Sequence, residues 1–160
     1  MTIDYLQKLR DIPRDGTTNR GISLLEITHL EQVFNNGNLF PKVLKEFLYL
    51  AGDYCYVMDT GSWDSIEEMN IEHRADYLNI YGVTMNRPYL FLDIVGGNGE
   101  LFMFLDEGDN PELCQIKSDP SPTNIYRRIK NLTLKGLIES RIQDVINGDN
   151  PFLSYINVRS

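Results

Sequence analysis

Tyr89-Leu90-Phe91-Leu92-Asp93-Ile94-Val95, Gly96-Gly97-Asn98-Gly99 and Glu100-Leu101-Phe102-Met103-Phe104-Leu105 form the stretch that decides the fold. Two runs of aliphatic and aromatic residues flank a glycine-rich turn, the pattern of an antiparallel hairpin. A third run, Glu112-Leu113-Cys114-Gln115-Ile116-Lys117, follows the acidic turn Asp106–Pro111 and makes a three-stranded meander. Residues facing each other across an antiparallel ladder lie on one side of the sheet, and a register shift of two keeps every side chain on its side. One face therefore collects Leu90, Leu92, Ile94, Leu101, Met103 and Leu105, which is a core face. The other collects Tyr89, Phe91, Asp93, Val95, Glu100, Phe102, Phe104 and Asp106. That mixture is either covered by another element, as monomers usually require, or left open as a contact surface.

Outward from the meander, the chain reads as alternating caps and stripes. Thr2 is placed to cap a short helix through about Asp11, and Pro13–Arg20 reads as a loop. Ser23 with Glu26 matches a capping box ahead of Leu24, Ile27, Leu30, Val33 and Phe34. Pro41 opens a helix that Gly52 closes, with Leu44, Phe47, Leu48 and Ala51 inward. Tyr54–Met58 predicts a strand. Ser65 with Glu68 caps a further helix to about Ile80. Past the meander, Pro120 and Pro122 predict an end to strand pairing, because neither can donate a ladder hydrogen bond. Asn124–Lys130 predicts a short helix. Leu134, Leu137, Ile138, Ile142, Val145 and Ile146 then stripe an amphipathic helix after Thr133, and the apolar tail Pro151–Ser160 is expected to dock. No repeat or linker divides the chain, so 1–160 reads as one domain. The fold class is α+β, a mainly antiparallel sheet with a central three-stranded meander and helices packed on one face.

The 160 residues carry a net charge of −8. Residues 1–53 have 6 basic and 7 acidic side chains, 54–119 have 3 and 13, and 120–160 have 6 and 3, or −1, −10 and +3. Such a field repels nucleic-acid phosphates and attracts a basic protein. No apolar run approaches the roughly 18 residues that cross a bilayer, so no membrane role and a cytoplasmic location are expected. Cys55 and Cys114 lie far apart inside apolar runs, as reduced core thiols do. His29 and His73 are isolated, so no metal or other cofactor is expected. Gly96–Gly99 joins strand to strand with no helix N-terminus behind it, which argues against a phosphate loop. Asp106-Glu107-Gly108-Asp109-Asn110 lacks calcium-loop ligand spacing. Arg127, Arg128, Lys130, Lys135 and Arg141 read as a solvated helix face.

The order of these features resembles the SUKH superfamily of bacterial toxin-immunity proteins and fungal regulators of cell-wall glucan synthesis. The matching residues are the helix Ile27–Phe34 with Leu39-Phe40-Pro41 opening Val43-Leu44-Lys45-Glu46-Phe47-Leu48, then Trp63-Asp64-Ser65-Ile66-Glu67-Glu68. The run Leu90–Leu105 with the Asp106-Glu107-Gly108-Asp109 corner and the helix after Thr133 complete the likeness, which covers Gly21 to Asn147. Leu50-Ala51-Gly52-Asp53 departs from the Asn-Gly-Gly turn of many members. The resemblance implies a non-catalytic role, often neutralisation of a toxin by binding it. The expected contact residues are Trp63, Asp64, Asp93, Asp106, Glu107 and Asp109, the aromatic as anchor and the acids as steering groups. The partner would be a cognate toxin or another basic protein, with a monomer favoured. Two other readings stand beside this one: an intracellular regulatory scaffold, and a hydrolase using Asp93 and Asp106 as paired carboxylates.

Overall fold

The computed structural model describes residues 1–12, 18–94 and 99–152. In chain order the elements are α1 (Gln7–Asp11), α2 (Leu24–Phe34), α3 (Lys42–Ala51), α4 (Ile66–Tyr81), β1 (Tyr89–Asp93), β2 (Leu101–Phe104), β3 (Glu112–Ser121), β4 (Asn124–Thr133) and α5 (Leu134–Ile146). The strands form one antiparallel sheet in the order β1-β2-β3-β4. The fold is α+β, with the expected meander at its centre. Val95 and the turn Gly96–Asn98, residues 13–17 of the expected loop Pro13–Arg20 and the tail 153–160 lie outside the described residues.

Local chemistry sets the helix starts. The Ser23 hydroxyl accepts from the Glu26 amide while the Glu26 carboxylate accepts from the Ser23 amide at 2.7 Å, a complete capping box. Ser65 accepts from the Glu68 amide at 3.0 Å, and Thr133 from Gly136. Pro41 sits one residue outside α3, in an extended conformation that launches the helix without needing its missing N–H. At the N-terminus the expected Thr2 cap is replaced. The helix begins only at Gln7, and the buried Glu46 carboxylate of α3 accepts from the amides of Asp4, Tyr5 and Leu6 at 2.7–3.0 Å.

Three further expectations are corrected. Tyr54–Met58 is not a strand: Tyr54 makes one isolated bridge with Arg20, and Cys55, Tyr56, Val57 and Met58 pack into the core as an irregular segment. The prolines do not end the sheet. Pro120 lies within β3, where the register shifts between Ile116↔Tyr126 and Ser121↔Asn124, so the ladder does not need its absent donor. Residues 124–130 belong to β4 rather than a helix, because Ile125, Tyr126 and Ile129 are β-branched or aromatic and suit a pleated, half-buried surface.

Both faces of the sheet are covered. The aliphatic face, with Leu90, Leu92, Leu101, Met103 and Leu105, joins Val43, Leu44, Phe47 and Leu48 of α3 and Leu134, Leu137, Ile138 and Ile142 of α5 in one core. On the other face Tyr89, Phe91, Phe102 and Phe104 are buried in a chain of edge-to-face ring contacts 5.3–6.0 Å long. His73 and Tyr77 of α4 lie against Phe91, Tyr126 of β4 closes over Phe102 and Phe104, and the Arg87 guanidinium stands 3.9 Å above Phe104. The aromatic face is therefore core, not an open contact surface.

Candidate binding surface

Asp93 shows how far a single bulge can move a side chain. Phe91 opposes Phe102 but Asp93 opposes Leu101, so two residues of β1 stand against one of β2. That slip transfers Asp93 to the aliphatic face, beneath α5. There it is 0% exposed and held by Arg141, also 0% exposed, at 2.7 and 3.2 Å. The Asp59 amide donates to the same carboxylate at 2.7 Å, and Arg141 donates to the Val57 carbonyl at 2.8 Å. Asp93 is thus a structural anchor for the 54–62 segment, and it is withdrawn from the set of contact residues. Asp106 lies past the open end of the β1–β2 hairpin and Asp93 near its turn, about 16 Å apart along the strands. These two carboxylates do not converge on one point, as a hydrolase pair would have to.

Asp106 and Glu107 are exposed or partly so, yet both are engaged. Arg87 bridges them at 2.6 and 2.8 Å, and Arg128 of β4 makes a two-armed contact with Glu107 at 2.7 Å. Arg128 of the basic 120–160 stretch thus folds back onto the acidic 54–119 stretch, and Asp106 and Glu107 of the expected flank are paired. Hydrogen bonds from Arg128, opposed by partial burial and aided by Arg87, hold Glu107 down to about 2. Its folded value lies below the ordinary 4.5, so the interaction contributes fully above that pH and is lost as pH falls from about 4.5 through about 2. Urea titrations should show Glu107→Gln less stable at neutral pH, on the order of 1 kcal/mol after solvent screening, with a shallower loss on acidification than the parent chain. Parallel pH dependence of the two proteins would refute this assignment.

The remaining expected contacts separate into two groups. Asp109 sits at the N-terminal end of α3, where its carbonyl accepts from the Val43 amide at 3.0 Å. Trp63 and Asp64 lie at the C-terminal end, beside Ala51, Gly52 and Asp53. The ten-residue helix between them spans about 15 Å, so the six residues do not form one patch.

Asp106 and Asp109 line an open hollow of about 450 Å³ together with Lys42 and Lys45, whereas Trp63 and Asp64 open onto a second one. A cleft of about 410 Å³ is lined by Arg20, Asp53, Tyr54, Asp59, Trp63 and Asp64 among others. A neighbouring hollow of about 290 Å³ shares Gly52, Asp53, Asp64 and Ile66 with it and adds Glu26, His29 and Glu67. Gly61 sets the indole: at φ +69°, a Cβ there would stand 2.8 Å from the Trp63 ring and 3.0 Å from Ile94. Trp63 also packs on His73, with ring centroids 4.6 Å apart. Five carboxylates, from Glu26, Asp53, Asp59, Asp64 and Glu67, face this double cleft. Among the described residues the two basic side chains lining it are both engaged: Arg20 pairs with Asp53 at 2.9 Å and lies 5.0 Å over the Tyr54 ring, and His29 meets Glu67 at 3.0 Å. The largely exposed Arg20 guanidinium thus lies between an aromatic face and a carboxylate.

Sequence reasoning reached Trp63 and Asp64 but missed Arg20, Asp53, Asp59 and Glu67, which come from separate segments with no shared spacing. Cys55, in the cleft wall, has its thiol pushed up to about 12 by burial, and Cys114 is pushed up to about 11. Both stay protonated and unreactive at neutral pH. Among the described residues no three His, Cys, Asp or Glu side chains are grouped to hold a metal ion, and no helix is long and apolar enough to cross a membrane. No family model, curated protein or solved structure matches the chain.

Proposed function

We propose that this chain is a non-catalytic protein-binding domain that acts in the cytoplasm as an immunity protein, neutralising a cognate toxin by covering its active surface. The resemblance to the SUKH superfamily motivates the role. The observation that carries the binding mode is the aromatic and acidic double cleft around Trp63, Asp53 and Asp64. A lysine or arginine from the partner enters beside Tyr54 and Trp63 and exchanges its water for carboxylate and ring contacts. The surrounding acids speed encounter, while the anchored side chain sets the lifetime of the complex. Steric occlusion suffices for neutralisation, so no turnover is involved.

The test is co-expression with the toxin encoded beside this gene, read by growth and by co-purification. Rescue and a stable complex are expected. With Asp53→Asn and Asp64→Asn combined, association should slow about tenfold at low salt and lose much of its salt dependence. A toxin that kills regardless of co-expression, and does not co-purify, removes the reading. The regulatory scaffold differs in gene context: its gene would stand apart from any secreted toxin, and its partner would be a host protein.

A further inference from the structure

The seam between α2 and α4 carries an apolar stripe that none of the described residues covers. Leu25 and Val33 of α2 are 81% and 46% exposed, and Ile71 and Leu78 of α4 are 50% and 51% exposed. Two contacts between long side chains link the helices and fix their relative direction. His29 meets Glu67, and five residues further along α2 the Phe34 ring lies 4.9 Å from the Arg74 guanidinium, seven residues further along α4. The helices therefore run parallel. Leu25 stands one turn before the first contact and Leu78 one turn after the second, with Val33 and Ile71 between. By helical rise the stripe is roughly 20 Å long.

Its exposed charge is predominantly acidic. Neither helix contains a lysine, and α2 contains no arginine. The single arginine of α4, Arg74, is turned inward, 3.9 Å over the Tyr89 ring with a hydrogen bond to the Tyr89 carbonyl. Glu26, Glu67, Glu68, Glu72 and Asp76 are left on these two helices or their outer faces. Hollows lie at both ends. The acidic one holds Glu26, Asp53, Asp64 and Glu67, and the other, about 300 Å³, is walled by Arg74, Leu78, Val83, Met85 and Tyr89, with the Arg74 guanidinium occupied by the Tyr89 ring and carbonyl.

We infer that this seam is the docking groove for an amphipathic, basic segment of a partner protein. Its apolar residues at helical spacing seat along Leu25, Val33, Ile71 and Leu78, one large apolar side chain enters the Met85 hollow, and lysine or arginine residues meet the acid rim. The inference rests on the reading of the chain as a binder of a basic protein and names the second part of that contact. A second copy of this chain is disfavoured, because a symmetric contact would press the acid rim against itself. Anionic bilayers are repelled for the same reason.

The probe is a labelled, roughly 18-residue peptide with leucine at i, i+4 and i+7 and lysine elsewhere, beside a scrambled peptide of equal composition. Anisotropy with the full chain should show binding about tenfold tighter for the patterned peptide, and Ile71→Ser with Leu78→Ser should weaken it about tenfold or more. Both substituted side chains are half-exposed, so the melting temperature should hold and show that the variant is folded. Equal binding of the two peptides, or no loss in the variant, overturns the inference. So does dimerisation of the chain that the variant abolishes, or binding of anionic vesicles in place of the peptide. A toxin that co-purifies equally with parent and variant sinks the seam while sparing the proposed function; a toxin that never co-purifies sinks the function itself.

Discussion

Arg141→Met is expected to destabilise the fold by about 3–5 kcal/mol, the cost of leaving a buried carboxylate without its cation. Arg141 and Asp93 are both fully buried, and the guanidinium also satisfies the Val57 carbonyl. For a chain of 160 residues, where 1 kcal/mol moves the midpoint by about 2–4 °C, the thermal midpoint should fall by about 6–20 °C. The double replacement Arg141→Met with Asp93→Leu should recover much of the loss, because it removes the orphaned charge together with its partner. The cleft should respond as well. Asp93 accepts from the Asp59 amide and Ile94 donates to the Asp59 carbonyl at 2.8 Å, so the pair anchors the segment that carries Gly61 beneath the indole. Trp63 is the only tryptophan, and its emission should shift to longer wavelength in Arg141→Met. A variant that melts within 2 °C of the parent would show that the pair does not support the sheet as described.

Legibility followed distance along the chain. The caps at Ser23 and Ser65 each depend on a bond to a glutamate three positions on, and both are written in the sequence; Thr133 caps α5 through Gly136, which is no such signal. The meander was legible because its strands are consecutive and alternate with period two. The bulge at Asp93 was not: a one-residue slip changes which way the next side chain faces, and the partner it brings Asp93 to is the buried arginine of α5, 48 positions away. β4 was hidden by its solvent-facing arginines, which read equally as a helix surface. Charge misled for a related reason. Segment totals of −10 and +3 described separate stretches of chain, whereas folding brings Arg128 to Glu107 and Arg141 to Asp93. The double cleft draws on the segment before α2, the ends of α2, α3 and α4 and the loop after Tyr54, so only Trp63 and Asp64 gave a local signal.

Asn70→Leu is expected to cost about 2–4 kcal/mol although it replaces a buried polar side chain with an apolar one of similar size. The Asn70 amide accepts from the Phe91 N–H at 2.8 Å and donates to the Phe91 carbonyl at 3.1 Å and the Ile66 carbonyl at 2.9 Å. β1 is an edge strand, so Phe91 has no strand on that side, and the amide of α4 supplies both missing contacts. Leucine can supply neither. The desolvated N–H and C=O of Phe91 would be left without partners, at about 1–3 kcal/mol each less whatever water recovers. Asn70→Asp is the informative companion: it keeps the acceptor, loses the donor and buries a charge, so it should be no better. The same amide holds α4 in place, and the outer side of α4 carries Ile71 and Leu78. Hydrogen exchange should therefore lose protection across Met69–Leu78 in Asn70→Leu before the β2–β3 amides respond. Uniform loss of protection over the whole sheet would instead mean that α4 and β1 open only with global unfolding, and that the seam is as rigid as the core beneath it.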